Sequence, residues 1–233
     1  MTKMVICSFY NALIDSEDAI PTSTMLEIER IRNKGILFVV GTNRSYQEVL
    51  EYNRDFPFVD YIVSLNGGIV YDVNQNEILV KHKISQSTKK KIIENFSEYS
   101  TTFYTEKKKK STLPEEDIYK IEMKVGKDEK TLYEKLQKYK IEYTVFQKDR
   151  KKVVEIVSNK CNMFTGVDRI SLKNNIPLNQ IVCVCANDSD MVLVNNISNH
   201  FITENSVDSL KQITNKMTSS HNQKGLEKVL KEI

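Results

Sequence analysis

The stretch that decides the fold is MVICSFYNALID, residues Met4 to Asp15. Its apolar residues up to Phe9 predict a short buried strand, and the break from Tyr10 to Ala12 predicts a loop. In α/β proteins, ligand sites lie at the carboxyl ends of strands, so an active site is expected here. Such a loop normally carries acidic residues or glycines, but this one carries neither. The loop is therefore either an active-site loop that lacks its catalytic residues or not an active-site loop at all.

The segments around this stretch alternate between helix and strand. Hydrophobic spacing predicts a helix at Thr22 to Lys34, followed by strands at Ile36 to Val40 and Tyr61 to Val63. The alternation returns later in the chain, with a helix at Phe164 to Asn174 and a strand at Ile181 to Cys185. This pattern is typical of a parallel sheet with crossover helices.

The middle of the chain has a different pattern. From Ser87 to Val157, two helical segments are each followed by two strand-like segments, the last pair around a polar turn at Lys148 to Arg150. That order indicates an α+β unit with an antiparallel sheet. We predict an α/β protein with a Rossmann-like parallel sheet core at 1–82 and 156–233 and an inserted α+β cap domain at 83–155.

Composition excludes some functions. The 233 residues carry a formal net charge of only +3, which does not favour nucleic-acid binding. No apolar run is long enough to span a membrane, so no membrane association is expected. None of the cysteines forms a CxxC pair, which favours buried free thiols in a reducing cytosol and a cytoplasmic location. They are Cys7, Cys161, Cys183 and Cys185.

Several segments, in order, resemble the haloacid dehalogenase superfamily, specifically its Cof-type sugar-phosphatase branch. The opening strand and loop are followed by IPTSTMLEIERIRNKGILFVVGTNRS, which is similar in length, hydrophobic pattern and order. The cap-sized insertion also stands in the expected place. The other matching segments are DYIVSLNGGIVYD from Asp60, IVCVCANDSDMVLV from Ile181 and TSSHNQKGLEKVLKEI from Thr218.

The resemblance implies a phosphatase that acts on small phosphorylated metabolites. In that family, an aspartate after the first strand attacks phosphorus, and a second aspartate two residues later acts as acid and base. Mg²⁺ is held by the first aspartate and by an acidic pair after the fourth strand. A threonine or serine and a lysine bind the phosphoryl oxygens.

Carried onto this chain, the family's catalytic positions are substituted. The nucleophile position falls on Ser8, the acid/base position on Tyr10 and the lysine on Met163. The first metal acid becomes Ala186, whereas the second is kept as Asp190. The positions implied to bind phosphate or substrate are Thr42, Asn43, Arg44, Asn66 and Asn205.

Two other residues are potential substitutes for the missing groups. Asp188 would replace the carboxylate lost at Ala186 if the loop shifted, and Lys160 would replace the lysine lost at Met163. Each rescue needs a separate change, so lost phosphoryl transfer is the simpler interpretation. We therefore predict a catalytically impaired member retained for binding or regulation, with weak or absent Mg²⁺ binding.

Other interpretations stay open at this point. The chain could be an active phosphohydrolase with a non-standard mechanism, or a protein-interaction module that uses only its cap. An unrelated α/β protein could share the strand order, but the residues kept at matching places argue against this. The sequence identifies no protein partner. The kept residues are Thr42, Arg44, Asn66, Asp190 and Asn205.

Overall fold

The computed structural model of the chain shows two compact units. The first combines Met1–Val80 with Asn162–Ile233, and the second is Lys81–Cys161. No helix in the part of the chain described here is long and apolar enough to cross a membrane. The structure describes residues 1–54, 56–148 and 151–233.

The second unit extends further than the cap that we predicted at 83–155. The strand Lys151–Val157 pairs along its length with two other strands of the second unit, so all of it belongs there. The boundary therefore falls after Cys161 and just before Asn162, which caps the next helix. Asp149 and Arg150, in the predicted turn, lie outside the described residues.

The first unit alternates strand and helix along the chain. Its strands are β1 Met4–Ser8, β2 Leu37–Gly41, β3 Tyr61–Ser64, β4 Ile69–Asp72, β5 Glu77–Lys81, β11 Ile181–Cys185, β12 His200–Thr203 and β13 Met217–Thr218. Its helices are α1 Thr22–Asn33, α2 Tyr46–Asn53, α5 Met163–Asn174, α6 Met191–Asn196, α7 Asp208–Lys211 and α8 Gly225–Lys231.

These strands form one sheet in the order β13-β12-β11-β1-β2-β3-β4-β5. The central strand β1 is buried along its whole length and pairs in parallel with β11 and β2. In this register Cys7 lies opposite Val184, and Ser8 lies opposite Gly41. The carboxyl ends of β1, β2 and β11 therefore meet at one edge of the sheet.

Apolar side chains on both faces hold this sheet in place. Helix α1 buries Ile28 and Ile31, which lie three residues apart on one helical face. Helix α5 buries Val167 and Ile170 in a cluster with β1, β3 and β11. Each buried aliphatic side chain of this size contributes roughly 1.5–3 kcal/mol. The packed core, rather than the loops, therefore fixes the positions of the carboxyl ends of these strands.

The second unit is an antiparallel sheet with helices on one face. The sheet has the order β7-β6-β8-β10-β9, and Ile92, Phe96, Leu132 and Leu136 of the helices pack with Ile121. Its elements are α3 Gln86–Asn95, β6 Thr101–Tyr104, β7 Lys109–Lys110, β8 Lys120–Lys124, α4 Glu129–Lys138, β9 Thr144–Lys148 and β10 Lys151–Val157.

The predicted fold class is confirmed as a Rossmann-like parallel sheet core with an inserted α+β unit. Two local features differ from what their sequence predicts. The pattern from Ser87 to Tyr99 predicts one helix, but α3 ends at Asn95 because the next residue, with a ψ of 23°, is outside the helical range. The lysine run at 107–110 predicts a loop, but its last two residues form the short edge strand β7, which pairs with β6.

Candidate active site at the carboxyl end of the central sheet

Ser8 is the last residue of β1 and stands at the edge where ligands bind in such sheets. Its side chain is almost fully buried, with 3% of the residue exposed. The hydroxyl donates to Oδ2 of Asp190 over 2.5 Å. Chain segments 182 residues apart in sequence thus meet at the predicted nucleophile position.

Asp190 is held by backbone amides as well as by Ser8. Its Oδ2 accepts hydrogen bonds from the amides of Ala186 at 2.9 Å and Asn187 at 2.8 Å. Burial raises the pKa of this carboxyl above its usual value, and the hydrogen bonds from Ser8, Ala186 and Asn187 oppose that shift. One oxygen of the retained metal-motif acid is therefore satisfied by three donors of the protein itself.

The side chain of Asn187 links the loop after β11 to the loop after β1. Its side-chain Nδ2 donates to the carbonyl of Tyr10 at 3.1 Å, and its Oδ1 accepts from Nδ2 of Asn11 at 2.8 Å. The carbonyl of Asn11 in turn accepts from Oγ1 of Thr203 at 3.2 Å. Asn11 has a φ of 68°, a conformation that asparagine tolerates better than most residues. Sequence reasoning missed this role for Asn187 and Asn11.

Asn205 was predicted to bind phosphate or substrate, and its side-chain amide is used within the protein. The Nδ2 group donates to the carbonyl of Asn11 at 2.9 Å, and the Oδ1 accepts from the amide of His221 at 2.9 Å. Burial lowers the pKa of His221, while Asp15 opposes the shift. Asn205 thus ties the terminal loop to the loop after β1.

Tyr10, at the acid/base position, lies against Arg44. The guanidinium carbon of Arg44 lies 4.2 Å from the centre of the Tyr10 ring, and Arg44 NH1 donates to Glu48 at 3.1 Å. Burial raises the pKa of the Tyr10 phenol, although Arg44 and a hydrogen bond with Tyr52 oppose the shift. The phenol therefore stays protonated at neutral pH and is a weak acid.

Thr42, Asn43 and Asn66 lie in the loops after β2 and β3. Thr42 is 5% exposed, and its Oγ1 accepts from the amide of Arg44 at 3.1 Å. The amide of Asn66, a residue with a φ of 53°, donates to the carbonyl of Thr42 at 3.2 Å. Asn43 is half-buried between Thr42 and Arg44. These residues share the sheet edge with Ser8, which lies opposite Gly41.

Met163 and Ala186 fill their positions with apolar groups. Met163 begins helix α5 and is 1% exposed. A β-carbon added to Gly41 would stand 2.8 Å from its sulfur, so the thioether lies directly against this glycine. Ala186 is fully buried and offers only its backbone amide to Asp190. Neither position can supply the charge that the family resemblance implies there.

The two potential substitute residues both have exposed side chains. Asp188 is exposed, and its Oδ1 accepts from the hydroxyl of Ser209 at 2.6 Å. Lys160 is an exposed residue of the second unit. Among the described residues, no group of three or more His, Cys, Asp or Glu is placed to hold a metal ion. Mg²⁺ prefers octahedral oxygen ligands, usually including one or two carboxylates, so the donor set around Asp190 does not fit it.

Comparison with known proteins identifies the family of this chain. A sequence model of the haloacid dehalogenase-like hydrolases matches residues 11–117 and 96–230. The chain belongs to this family. A protein of Buchnera aphidicola, provisionally named as a phosphatase, is 31% identical over 67 residues, which cover 29% of this chain. The match spans only 25% of that relative's own length.

Solved structures of the family share the fold of the whole chain. A haloacid dehalogenase-like hydrolase from B. subtilis has a TM-score of 0.86 at 15% identity, with 100% of both chains covered. A phosphatase of the superfamily from Bacteroides thetaiotaomicron has a TM-score of 0.85 at 13% identity, covering 100% of this chain and 95% of that one. A HAD/COF-like hydrolase from Plasmodium vivax has a TM-score of 0.83 at 20% identity, covering 99% and 95%.

Proposed function

We propose that this family member has lost phosphoryl-transfer activity and is retained to bind a small phosphorylated metabolite or to regulate. The observation that carries the proposal is the hydrogen bond from Ser8 to Asp190 at 2.5 Å. The family resemblance implies a nucleophilic carboxylate at the first of these positions and a metal-binding carboxylate at the second. The resident pair is an alcohol and a carboxylate already satisfied by internal donors.

The substituted groups fit binding better than catalysis. An alcohol is a weak nucleophile unless a strong base removes its proton, and a carboxylate is a weak base. The phenol of Tyr10 has a raised pKa, so it is poorly matched to proton transfer near pH 7. Thr42 and Arg44 keep groups that can donate hydrogen bonds to an oxyanion. These residues support a bound phosphate group without a reaction at phosphorus.

Two measurements test the proposal. With an aryl phosphate and Mg²⁺, we expect no release of the aryl alcohol above the rate of a heat-treated sample. With a panel of sugar phosphates and nucleotides, at least one should raise the melting temperature, since a ligand at 100 times its Kd stabilises a protein by about 2.7 kcal/mol. Turnover on the order of 1 s⁻¹ would contradict the loss of catalysis. A panel without any shift would contradict metabolite binding.

One observation favours a second candidate, an active phosphohydrolase that uses Ser8. The same 2.5 Å contact places a carboxylate beside the Ser8 hydroxyl, where it can accept the hydroxyl proton. In this reaction the Ser8 oxygen bonds to phosphorus while the bond to the leaving alcohol breaks. The Ser8 proton passes to Asp190, and water protonates the leaving alkoxide. The hydroxide formed then attacks phosphorus, the bond between phosphorus and Ser8 breaks, and the Ser8 oxygen takes its proton back from Asp190 as phosphate leaves.

The second candidate predicts a phosphoserine, because a serine phosphate ester is far more stable in water than an aspartyl phosphate. Intact mass spectrometry after incubation with the aryl phosphate would show one added phosphoryl group in the wild type. The Ser8→Ala variant would show none. An unmodified wild-type mass leaves the binding function as the better supported proposal.

A further inference from the structure

The contact between Tyr10 and Arg44 joins two loops at one edge of the sheet. Tyr10 follows β1 and Arg44 follows β2, and these strands are paired in parallel. The Tyr10 ring is itself held in place, since it meets Phe9 edge to face at a ring-centre distance of 5.0 Å, and Phe9 in turn meets Tyr52 edge to face at 5.1 Å. The ring thus provides a fixed surface for the guanidinium.

The guanidinium keeps part of its hydrogen-bonding capacity. Its NH1 donates to Glu48, and its central carbon lies over the Tyr10 ring, 4.2 Å from the ring centre. Within the described part of the chain, its Nε and its other terminal nitrogen donate to no acceptor, and the side chain is 44% exposed. Guanidinium groups bind phosphate and carboxylate through paired N–H donors, so an edge suited to an oxyanion remains.

Thr42 adds a second donor beside Arg44. Its Oγ1 accepts from the Arg44 amide, but its own hydroxyl hydrogen has no acceptor among the described residues. The acidic groups that face the pair of Tyr10 and Arg44 are Asp18 and Glu48. An incoming oxyanion must therefore compete with Glu48 for the guanidinium.

The residue type at position 10 decides whether Arg44 stays available. A carboxylate here would accept hydrogen bonds from the guanidinium and use up its donors. An aromatic ring attracts the face of the guanidinium and leaves its N–H groups in the plane untouched. A tyrosine at position 10 therefore leaves guanidinium donors available that a carboxylate would occupy.

We propose that Tyr10 is a positioning residue that holds Arg44 for a metal-independent oxyanion subsite, to which Thr42 adds its hydroxyl. The subsite accepts the phosphate group of the ligand, so the inference rests on the proposed metabolite-binding function. It also gives Tyr10 a role in ligand binding, and this role does not involve proton transfer.

Calorimetric titration with phenyl phosphate and with inorganic phosphate in chelator tests the subsite. Tyr10→Phe keeps the ring and should bind within about twofold of the wild type. Tyr10→Leu removes the ring at similar volume and should weaken binding about two- to fivefold.

Arg44→Lys keeps the charge but loses the planar fork, so about a tenfold loss of affinity is expected. Arg54→Lys, an exposed substitution at the other end of α2, is the matched control and should change little.

A double-mutant cycle on unfolding without ligand tests the contact itself. Tyr10→Leu, Arg44→Met and the double variant should show a coupling factor of about 2–5 in the unfolding equilibrium constant. A coupling factor near one would overturn the positioning role, as would equal losses of binding in Tyr10→Phe and Tyr10→Leu. A wild type that binds neither phosphate probe would overturn the subsite and the binding function together, while the cycle would still report on the contact.

Discussion

Asp190 and Lys120 are both buried charged residues, but their charges are compensated in different ways. Asp190 in the first unit is 2% exposed, and its Oδ2 is met by neutral donors, the Ser8 hydroxyl and two backbone amides. Lys120 in the second unit is 1% exposed, and its Nζ lies 2.7 Å from Oε1 of Glu122 and 3.4 Å from Oε2 of Glu155. Neutral hydrogen-bond donors thus compensate the charge of Asp190, whereas oppositely charged side chains compensate the charge of Lys120.

The difference shows what each cluster requires from its surroundings. A buried charge is costly unless it is hydrogen-bonded or paired. Because neutral donors already satisfy Oδ2 of Asp190, this oxygen needs no cation, and the neighbouring lysine position is occupied by the apolar Met163. The two carboxylates around Lys120 depend on that lysine, whose Nζ also lies 4.0 Å from the Tyr104 ring centre.

The largest expected effect concerns Lys120. Lys120→Met removes the cation and leaves Glu122 and Glu155 buried together, so we expect a loss of about 3–5 kcal/mol in the stability of the second unit. Hydrogen exchange of the β8 and β10 amides reports this unit separately from the first. The matched control is Lys130→Met, because Lys130 is 90% exposed and lies 3.8 Å from Glu134. Equal exchange in the two variants would show that the cluster does not depend on its lysine.

The next effect concerns a second carboxylate beside Asp190. Ser8→Asp replaces the donor of the 2.5 Å hydrogen bond with a like charge, which should cost about 2 kcal/mol in chelator. Added Mg²⁺ should restore part of the loss, because two adjacent carboxylates are a common part of a Mg²⁺ site. Thermal unfolding with and without Mg²⁺ measures both effects.

Ser8→Asn is the control for this variant, since it has the same shape without the charge and can still donate to Asp190. We expect its melting temperature to be independent of Mg²⁺. If Ser8→Asp unfolds at the same temperature as Ser8→Asn in chelator, the two carboxylates do not interact and the assignment of position 8 to the metal side of the site is wrong.

The strands and turns of the first unit could be predicted from the sequence because each has a pattern within one short segment. The apolar run in β1 and the turn after β2 each lie within one short segment, and parallel pairing then brings Ser8 towards Asp190. The sequence could not show that Asp190 is satisfied by the amides of Ala186 and Asn187, because that depends on the backbone of one turn. The role of Asn187 was missed for the same reason.

The cluster around Lys120 was missed because its strand has the pattern of a half-exposed sheet. The sequence KIEMK alternates charged and apolar residues, which normally places the charges in water. In the structure the apolar residues Ile121 and Met123 are buried as expected, but Lys120 and Glu122 are buried too. Their pairing with Glu155 joins strands far apart in sequence, and no local pattern encodes it.

A smaller effect is expected from removal of the Ser8 hydroxyl alone. Ser8→Ala leaves Oδ2 of Asp190 with two amide donors, so we expect a loss of about 1–2 kcal/mol by chemical denaturation. Ser23→Ala removes a hydroxyl that donates to Glu227 at 2.6 Å in a less buried place, and it should cost less. If Ser23→Ala costs as much as Ser8→Ala, burial does not strengthen the contact with Asp190.

The smallest effect is expected from Mg²⁺ on the unmodified chain. Since Oδ2 of Asp190 is occupied by internal donors and Ala186 supplies no carboxylate, a cation would have to displace existing hydrogen bonds. Stabilisation by a ligand grows with the ratio of its concentration to its Kd, so a weak site gives almost no shift. We expect the melting temperature in millimolar Mg²⁺ to match that in chelator, while Ser8→Asp responds in the same experiment. A wild-type shift as large as that of Ser8→Asp would mean that the neutral donors around Asp190 yield to a metal, and the contrast with the Lys120 cluster would no longer hold.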